Sequence, residues 1–506
     1  MPIMKLNELI KGLEIKHISG PLSINVLDIA SHSKKVKPNF LFVAIRGTDH
    51  NGHDFISEAI HRGAKAVIAE NIPPNSKEVT IIQVPDSRKA LAQVSAKFFE
   101  NPSLKLEVVG VTGTNGKTTT SYLLESILRC AGYNPGVIGT INYRFGNQIK
   151  KSFNTTPESL ELQKILAQML AEKVSHVVIE VSSHALDQNR VEGVHFKVGI
   201  FINLTSEHLD YHGSIEKYAQ SKAKLFSIFL EKSGVSGDRF AVLNQDDPQT
   251  NYIIPLTTAQ IIRYGMGKNV DITIEDLNVS LNGIKGLLKT PCGDIHFHTP
   301  LLGGFNLYNI MASVGAAICL NISSESIQTG LKNISTVPGR MEKVGKNIDF
   351  TILVDYAHTP DALKQVLFSL KELTSRRIIT VFGCGGDRDR SKRPLMGEIA
   401  GLLSDLVIIT SDNPRSERPE KIISEIEAGI KKTGLRKISS PDQQKGYLTV
   451  VDRLEAIQIA LQMAQKGDIV LVAGKGHEDY QILGTKKITF DDRKKIEEIL
   501  ENKAYL

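Results

Sequence analysis

Two spacings of apolar residues alternate along the chain. Short apolar runs bounded by turn residues are followed by stretches in which apolar residues recur every three or four positions. The runs predict buried strands, and the wider spacing predicts amphipathic helices. Their alternation predicts an α/β fold in which helices cover mostly parallel sheets.

The alternation restarts twice, which predicts three domains. Residues 1–102 predict a small N-terminal α/β domain, with a strand in NFLFVAI and a helix in DFISEAIHRG that ends at Gly63. Residues 103–337 open with the strand EVVGVTG and the helix TTTSYLLESILRCAG, and predict a central P-loop-type domain with a mostly parallel sheet. Residues 338–506 carry the apolar runs TILVDYA, RRIITVFG, LVIIT and DIVLVAG, and predict a C-terminal Rossmann-like α/β domain.

Composition and charge narrow the class of protein. A chain of 506 residues suits two to four domains. Its net charge of +6 is spread over 61 basic and 55 acidic residues, which requires no nucleic acid and suits an anionic small molecule. The four cysteines are scattered, and no apolar run reaches the roughly 18 residues of a membrane helix. We therefore expect a cytoplasmic protein with free thiols and no membrane insertion.

A glycine-rich loop between a predicted strand and helix is the first candidate site. It runs from Gly110 to Thr118 as GVTGTNGKT, where backbone N–H groups and the helix N-terminus favour phosphate. Lys117 can reach the β- and γ-phosphates, and the Thr118 hydroxyl can hold Mg²⁺. The Walker spacing fails by one position, because its first glycine would fall at Val111. A glycine turn without nucleotide is the alternative.

The stretch TGTNGKTT resembles the nucleotide loop of the Mur ligase family, which includes folylpolyglutamate synthetases and uses this shifted spacing. The resemblance implies ATP and Mg²⁺ as cofactors. It implies an ATP site made of Gly113, Thr114, Asn115, Gly116, Lys117, Thr118, Thr119, Asn306, Asn309, Arg340 and Asp355. Taken alone, Asn306 and Asn309 could equally be helix-start capping residues.

Acids, histidines and a lysine supply candidate metal ligands. Glu180 ends the apolar run HVVIE, where an acid of the Walker-B type would stand, and His208 and His212 share the i,i+4 spacing of some zinc sites. No third soft ligand accompanies this pair in the sequence, so zinc is disfavoured. EVSSHALDQNR and HLDYHG also resemble the family, which implies Mg²⁺ contacts at Glu180 and His208 and a carbamylated lysine at Lys222. The implied metal ligands are Thr118, Glu180, His208 and carbamylated Lys222, and the catalytic set is Lys117, Glu180, His208 and Lys222.

NTTP and the first domain resemble the family members that bind a UDP-linked muramoyl peptide. The implied contacts are Ser33, Thr48, Asp49, His50, Asn115, Asn154, Thr155, Thr156, Ser182, Gln188 and Arg190. The chain departs from the family pattern at His32-Ser33-Lys34, where Asp-Ser-Arg is usual.

The last third carries PGRMEKV, DYAHTPDAL, GCGGDRDRSKRPLMG, SDNPRSE and AGKGHEDYQ, which resemble the branch of the family that adds meso-diaminopimelate. This amino acid differs from lysine by an extra carboxylate, which a guanidinium such as that of Arg415 can bind through two hydrogen bonds. The implied amino-acid site is Arg388, Asp412, Asn413, Arg415, Gly474 and Glu478.

The resemblance implies a monomeric ATP-dependent amide ligase of peptidoglycan precursor synthesis. It would join meso-diaminopimelate to UDP-N-acetylmuramoyl-L-alanyl-D-glutamate through an acyl phosphate, releasing ADP and phosphate. Within the family, an L-lysine-adding synthetase is the alternative, followed by a folylpolyglutamate-type ligase. From another class, a P-loop ATPase switch would share the nucleotide loop but leave the motifs of the last third unexplained.

Overall fold

The computed structural model describes residues 3–47, 50–71, 79–205, 207–232, 239–346, 348–438 and 443–502. The chain divides into two compact units, Met1–Ile272 with Ala312–Ile327, and Thr273–Met311 with Gln328–Leu506. The α/β architecture is confirmed. The division into three domains, with the boundaries given above, stays a prediction. Among the described residues, no helix is long and apolar enough to cross a membrane.

The first unit begins with a five-stranded sheet of order β2-β7-β6-β5-β4, in which β4 to β7 are parallel. Its middle strands are apolar on both faces, because each face packs against its own cluster of buried side chains. The elements of this region are β1 (Met4–Lys5), α1 (Leu6–Leu9), β2 (His17–Ser19), β3 (Asn25–Val26), β4 (Asp28–Ala30), β5 (Phe40–Val43), α2 (Ile56–His61), β6 (Ala64–Ala69), β7 (Thr80–Gln83) and α3 (Ser87–Phe98).

An eight-stranded sheet of order β11-β10-β9-β12-β8-β13-β14-β15 follows in the same unit. Six strands are parallel, and the hairpin β10–β11 is antiparallel at one edge. The elements are β8 (Glu107–Thr112), α4 (Lys117–Cys130), β9 (Pro135–Ile138), β10 (Asn142–Phe145), β11 (Gln148–Lys151), α5 (Ser159–Ala171), β12 (His176–Glu180), α6 (Ser183–Asp187), β13 (Val198–Phe201), α7 (Leu209–His212), α8 (Ile215–Lys224), β14 (Phe240–Asn244), α9 (Thr250–Ile253) and β15 (Gln260–Tyr264). Because β8, β12 and β13 are neighbours, the loops after their carboxyl ends meet at one edge of the sheet.

An antiparallel three-stranded sheet opens the second unit, and the sequence analysis did not predict it. It consists of β16 (Thr273–Ser280), β17 (Gly283–Lys289) and β18 (Ile295–Thr299). The two-residue turn Leu281-Asn282 joins β16 to β17, and Gly283, the first residue of β17, has a φ of +118°, a conformation that favours glycine. The helices α10 (Asn306–Cys319) and α11 (Ser324–Asn333) follow along the chain.

The rest of the second unit is a six-stranded sheet of order β19-β20-β24-β21-β22-β23, parallel except for β19. Separate apolar clusters cover its two faces, as expected for a Rossmann-like sheet. The elements are β19 (Glu342–Val344), β20 (Thr351–Asp355), α12 (Pro360–Leu373), β21 (Ile378–Phe382), α13 (Lys392–Leu403), β22 (Leu406–Ile409), α14 (Pro419–Lys431), β23 (Gly446–Thr449), α15 (Arg453–Met463), β24 (Ile469–Ala473), β25 (Tyr480–Leu483), β26 (Lys486–Thr489) and α16 (Asp492–Glu501).

Candidate active site

The glycine-rich loop connects β8 to α4 in the first unit. Gly116 directly precedes the helix with a φ of +92°, a left-handed conformation that favours glycine. At Gly113, an added Cβ would lie 3.0 Å from Cβ of Ile202 and 3.2 Å from the backbone nitrogen of Asn203. The loop therefore needs glycine at one position for its conformation and at the other for close packing.

Asn203, just beyond the end of β13, holds the middle of this loop. Its side-chain oxygen Oδ1 accepts hydrogen bonds from the backbone N–H groups of Thr114 at 3.1 Å and Asn115 at 2.9 Å. Its carbonyl oxygen accepts from the Thr114 N–H as well, at 3.0 Å. These two N–H groups are thus engaged within the protein. The backbone N–H groups at the start of α4 point out of the helix end, and such groups together with the helix dipole favour an anion.

Glu180 ends β12 beside the loop and is 1% exposed. Its Oε2 accepts hydrogen bonds from the hydroxyls of Thr118 at 3.0 Å and Thr140 at 2.7 Å, and Ser121 donates to Oε1 at 3.4 Å. An added Cβ at Gly139 would overlap Oε1. A carboxylate beside a hydroxyl fits Mg²⁺, which usually takes one or two protein oxygens and completes its shell with phosphate and water.

Two lysines converge on one carbonyl oxygen of the loop. Nζ of Lys117 lies 2.7 Å and Nζ of Lys222 2.8 Å from the oxygen of Gly113. Lys222 comes from α8 and is 1% exposed. Burial lowers the pKa of Lys222 well below its ordinary value, and the charge of Lys117 lowers it further, against the opposing effect of Glu207.

His208 directly precedes α7 in a left-handed conformation, with a φ of +56°. Burial lowers the pKa of its imidazole; Glu207 opposes this, and Lys117 and Lys222 reinforce it. His184, which the sequence analysis did not single out, lies beside it, with ring centroids 4.7 Å apart, and 5.5 Å from the ring of His212. Burial and these neighbouring histidines lower the pKa of His184 to about 4. Within the described ranges, no three His, Cys, Asp or Glu side chains are arranged to hold a metal.

The predicted UDP-substrate residues of the central sheet surround the end of β12. The Thr156 hydroxyl donates to the carbonyl oxygen of Glu180 at 2.8 Å and accepts from the N–H of Ser182 at 3.0 Å. The Thr155 hydroxyl lies 3.0 Å from that of Thr140, and the carbonyl of Asn154 accepts from the Tyr143 hydroxyl at 2.7 Å. The structure therefore brings NTTP next to the carboxylate that faces the nucleotide loop.

Arg190 closes the other side of this segment. Its Nη1 donates to the carbonyl oxygen of Thr156 at 3.0 Å, and its Nη2 lies 2.8 Å from Oε1 of Gln188 and 3.0 Å from Oε1 of Glu158. Burial lowers the pKa of the guanidinium, while the Glu158 carboxylate opposes that shift. Arg190 and Gln188 are thus held in place without a ligand.

Of the predicted uridine residues, Ser33 begins a short 3-10 helix after β4, and His50 lies in the segment between β5 and α2. The hydroxyl of Ser33 donates to Oε2 of Glu58 at 2.7 Å, and His50 is exposed beside Phe55. Thr48 and Asp49 lie outside the described residues. His32 caps the short helix that begins at Ser33, because its Nδ1 accepts from the N–H of Lys34 at 3.3 Å.

The predicted ATP-binding residues of the second unit form hydrogen bonds mainly with its backbone. Asp355 ends β20, and its carboxylate accepts from the N–H groups of Met341 and Ala357, both at 2.7 Å. Burial raises the pKa of this carboxyl, against the opposing charge of Arg340. The Arg340 guanidinium lies 4.6 Å from the centroid of the Tyr356 ring, a cation–π contact.

Asn306 and Asn309 are both buried at the start of α10. The amide of Asn306 donates to the carbonyl oxygen of Leu302 at 2.7 Å, and that of Asn309 donates to Oδ1 of Asn306 at 2.8 Å. These bonds fix the turn that leads into the helix.

Four of the predicted amino-acid residues meet beyond the carboxyl ends of β22 and β24. Asn413 donates to Oε2 of Glu478 at 2.9 Å, and an added Cβ at Gly474 would lie 2.9 Å from Oδ2 of Asp412. Gly474 has a φ of +109°, so both its conformation and this approach favour glycine.

The two arginines of the predicted pocket flank Gly385. An added Cβ at this glycine would lie 3.0 Å from Nη1 of Arg415 and 3.8 Å from Cγ of Arg388. Arg415 has a φ of +53°, and its Nη1 donates to the carbonyl oxygen of Gly386 at 2.7 Å. Among the described residues, no hydrogen bond to protein engages Nη2, which leaves that side of the guanidinium for a carboxylate.

Comparison with known proteins identifies the family to which the chain belongs. The sequence pattern of the Mur ligase family, catalytic domain, matches residues 27–99, that of the Mur ligase middle domain matches 111–317, and that of the Mur ligase, glutamate ligase domain, matches 339–476. A Geobacter metallireducens protein named UDP-N-acetylmuramoyl-L-alanyl-D-glutamate–2,6-diaminopimelate ligase is 46% identical over 97% of this chain and 98% of that protein. The Geobacillus kaustophilus protein of the same name is 43% identical over 97% and 98%. A solved structure of a ligase of that name superposes with a TM-score of 0.72 at 32% identity and covers 99% of both chains.

The chain belongs to the Mur ligase family.

Besides His184, the sequence analysis of this Mur ligase missed two residues that lie among the predicted site residues of their own units. One is Asn203, whose signal was a polar residue two positions after a buried strand next to β8. The other is Lys475 in AGKGHE, which is 0% exposed and donates to Oε2 of Glu478 at 3.0 Å. A lysine between two glycines gave no sign in the sequence that it would be buried.

Proposed function

We propose that this Mur ligase uses ATP to join meso-diaminopimelate to UDP-N-acetylmuramoyl-L-alanyl-D-glutamate during peptidoglycan precursor synthesis. The observation that carries the proposal is the identity of 46% over 97% of the chain to a ligase named for this reaction. The arrangement of Lys117, Glu180 and Lys222 around one loop supports phosphoryl transfer as its chemistry.

In the first step, the γ-phosphoryl group of ATP passes to a carboxylate oxygen of the UDP-substrate, giving an acyl phosphate and ADP. Lys117 and the N–H groups at the start of α4 bind and orient the phosphates. Thr118 and Glu180 would hold Mg²⁺, which when bound neutralises charge on the phosphates. In the second step, an amine of the amino acid attacks the acyl carbon, loses a proton, and phosphate leaves as the amide forms.

Lys222 is proposed to act as a carbamate. Its lowered pKa makes the neutral amine available, and the nitrogen lone pair can attack the carbon of CO₂ and lose a proton to give an anionic carbamate. The reaction would replace the repulsion between Lys117 and Lys222 by an attraction, since both amines contact the carbonyl oxygen of Gly113. It would also add oxygen atoms beside the nucleotide loop.

Arg415 is proposed to select the amino acid. A guanidinium with Nη2 directed to a carboxylate would bind the second carboxyl group of diaminopimelate. With L-lysine the guanidinium lacks this partner, and a hydrogen bond to a charged group contributes about 1.5–3 kcal/mol, equivalent to about a tenfold or greater loss of affinity. A cytoplasmic location and a monomeric state stay predictions.

The test measures ATP-dependent phosphate release with the UDP-substrate and either meso-diaminopimelate or L-lysine, with product masses. Turnover with diaminopimelate alone supports the proposal. Arg415→Lys should then raise the KM for diaminopimelate, whereas Arg418→Lys, at a side chain that is 85% exposed, should not. Preferred turnover of lysine would overturn the substrate choice, and release that needs no UDP-substrate would favour the ATPase alternative.

A further inference from the structure

The segment after β24 turns a lysine into the interior of the second unit. Gly474 and Gly476 flank Lys475 with φ values of +109° and +51°. An added Cβ at Gly476 would lie 2.7 Å from Cβ of Tyr356 and 2.9 Å from the carbonyl oxygen of Gly339. The two glycines therefore allow a sharp turn in a crowded place, and the side chain of Lys475 ends 0% exposed.

Lys475, Glu478 and Asn413 form a closed triangle of hydrogen bonds. Nζ of Lys475 donates to Oε2 of Glu478 at 3.0 Å and to Oδ1 of Asn413 at 3.3 Å. The amide nitrogen of Asn413 donates to the same Oε2 at 2.9 Å. Asn413 is itself fixed, because its Oδ1 accepts from the N–H of Ile482 at 3.0 Å.

The hydrogen bonds of the triangle use only one carboxylate oxygen of Glu478, Oε2, and do not use Oε1. Both of the hydrogen bonds described for this carboxylate reach Oε2, and the side chain of Glu478 remains 18% exposed. An ammonium group of a ligand is the natural partner for Oε1. A buried lysine without its acid, or the acid without its lysine, would leave an uncompensated charge.

The net charge of the pocket also depends on this lysine. Arg388, Arg415 and Lys475 exceed the carboxylates of Asp412 and Glu478 by one positive charge. When one of its amines is deprotonated for attack, diaminopimelate carries a net charge of −1, whereas lysine in the same state is neutral. Lys475 thus makes the pocket complementary to the dicarboxylic amino acid.

We propose that Lys475 is a positioning and specificity-determining residue: it fixes Oε2 of Glu478 so that Oε1 receives an ammonium group of the amino acid, and it supplies the charge that favours a second carboxylate. This inference rests on the proposed function. The inference can fail while the proposed function holds, since the ligase would use diaminopimelate whichever residue orients Glu478.

The test compares Lys475→Met with a matched control, Lys487→Met. Lys487 is exposed on β26 and lies 3.6 Å from the centroid of the Tyr480 ring, which Lys475 also approaches, at 5.4 Å. Lys475→Met should raise the KM for diaminopimelate at least about tenfold, which corresponds to about 1.4 kcal/mol, because Glu478 loses the charged hydrogen bond that fixes it. The KM values for ATP and the UDP-substrate should stay within about twofold, and Lys487→Met should match the wild type. Lys475→Arg, which keeps the charge, should recover part of the loss.

Glu478→Gln completes the experiment and serves if Lys475→Met does not fold. It should raise the KM for diaminopimelate in the same way, and the double variant should be no worse than the worse single variant, since the two residues act through one contact. An equal rise in all three KM values, or losses that add in the double variant, would overturn the inference. Wild-type protein that does not use diaminopimelate would instead overturn the proposed function.

Discussion

At the scale of single residues, the carbonyl oxygen of Gly113 is the atom at which two lysine side chains of the first unit meet. It accepts from Lys117 at 2.7 Å and from the buried Lys222 at 2.8 Å. Burial lowers the pKa of Lys222, and the charge of Lys117 at the same oxygen lowers it further. A buried amine that is easily deprotonated is reactive towards CO₂. The closeness of Lys117 and Lys222 therefore destabilises the unmodified protein when both amines are charged, and it would stabilise the proposed carbamate, which is negative.

We expect Lys222→Ala to lose most ligase activity and added short carboxylates to restore some of it, because a carboxylate can stand in for the carbamate oxygens. Phosphate release with and without formate or acetate measures this. Lys222→Glu should also retain more activity than Lys222→Ala. Full activity of Lys222→Ala would exclude the carbamate role.

The same residue predicts a pH dependence of stability. The folded protein releases the Lys222 proton at lower pH than the unfolded chain, whose lysine keeps a pKa near 10.5. Between these two pKa values the unfolded state binds more protons, so the free energy of unfolding rises with pH. Urea unfolding in CO₂-free buffer should show this rise in the wild type and a smaller one in Lys222→Met. Parallel pH curves for the two proteins would contradict the burial of a strained amine.

At the scale of elements, each site is assembled where parallel strands end. β8, β12 and β13 supply the nucleotide loop, Glu180 and Asn203, while β20, β22 and β24 supply Asp355, Asp412 and Gly474. Side chains from neighbouring strands meet there because the loops leave the same edge of the sheet.

Asn203→Ala should loosen the nucleotide loop, because the Asn115 N–H loses this side-chain acceptor and the Thr114 N–H keeps only the backbone carbonyl of residue 203. We expect the KM for ATP to rise about tenfold, which corresponds to about 1.4 kcal/mol. The KM for the amino acid should change little. Asn282→Ala, on the exposed turn after β16, is the control, and an unchanged ATP KM in Asn203→Ala would show that the loop holds its shape without this residue.

A buried ion pair joins the helices α15 and α16 of the second unit. Arg453 at the start of α15 makes two hydrogen bonds of 2.8 Å to Asp492 at the start of α16, both 0% exposed in their side chains, and its Nη2 donates to the carbonyl of Ala473 at 3.0 Å. Asp492→Ala should lower the free energy of unfolding by about 3–5 kcal/mol, since it strands a buried charge. Replacing both partners by apolar residues, as in Arg453→Met with Asp492→Leu, should recover much of that loss in urea unfolding. A loss that is larger in the double variant would contradict this explanation.

At the scale of the whole molecule, apolar periodicity was enough to predict the parallel sheets, because buried strands such as β12 and β24 are apolar throughout. It did not reveal β16 to β18, whose alternating strands are partly exposed and for which the Asn282-Gly283 sequence was the clearest available sign. The roles of the site residues stay predictions, and only the structure shows which of these residues lie close together. No spacing rule shows that Lys222 is buried against Gly113 or that Lys475 faces Glu478.

The net charge of +6 predicts a salt dependence that differs between substrates. The UDP-substrate and ATP are strongly anionic and the amino acid is nearly neutral overall, so salt should screen the attraction of the first two most. Their KM values should rise between low salt and about 0.5 M KCl, at which the Debye length falls to only a few Å. Equal salt dependence for all three substrates would show that local contacts outweigh the field of the protein.

The close approach of Gly139 to Glu180 has a consequence for how such enzymes can vary. Any side chain at position 139 would overlap Oε1 of Glu180, so Gly139→Ala alone displaces the acid beside the nucleotide loop. Glu180→Asp alone shortens the acid by one methylene and withdraws it from Thr118 and Thr140. Gly139→Ala together with Glu180→Asp would keep the total side-chain volume at these two positions and would also keep a carboxylate beside the nucleotide loop. The two positions should therefore change as a pair during evolution, and a library that randomises one of them while the other is fixed should yield few active clones.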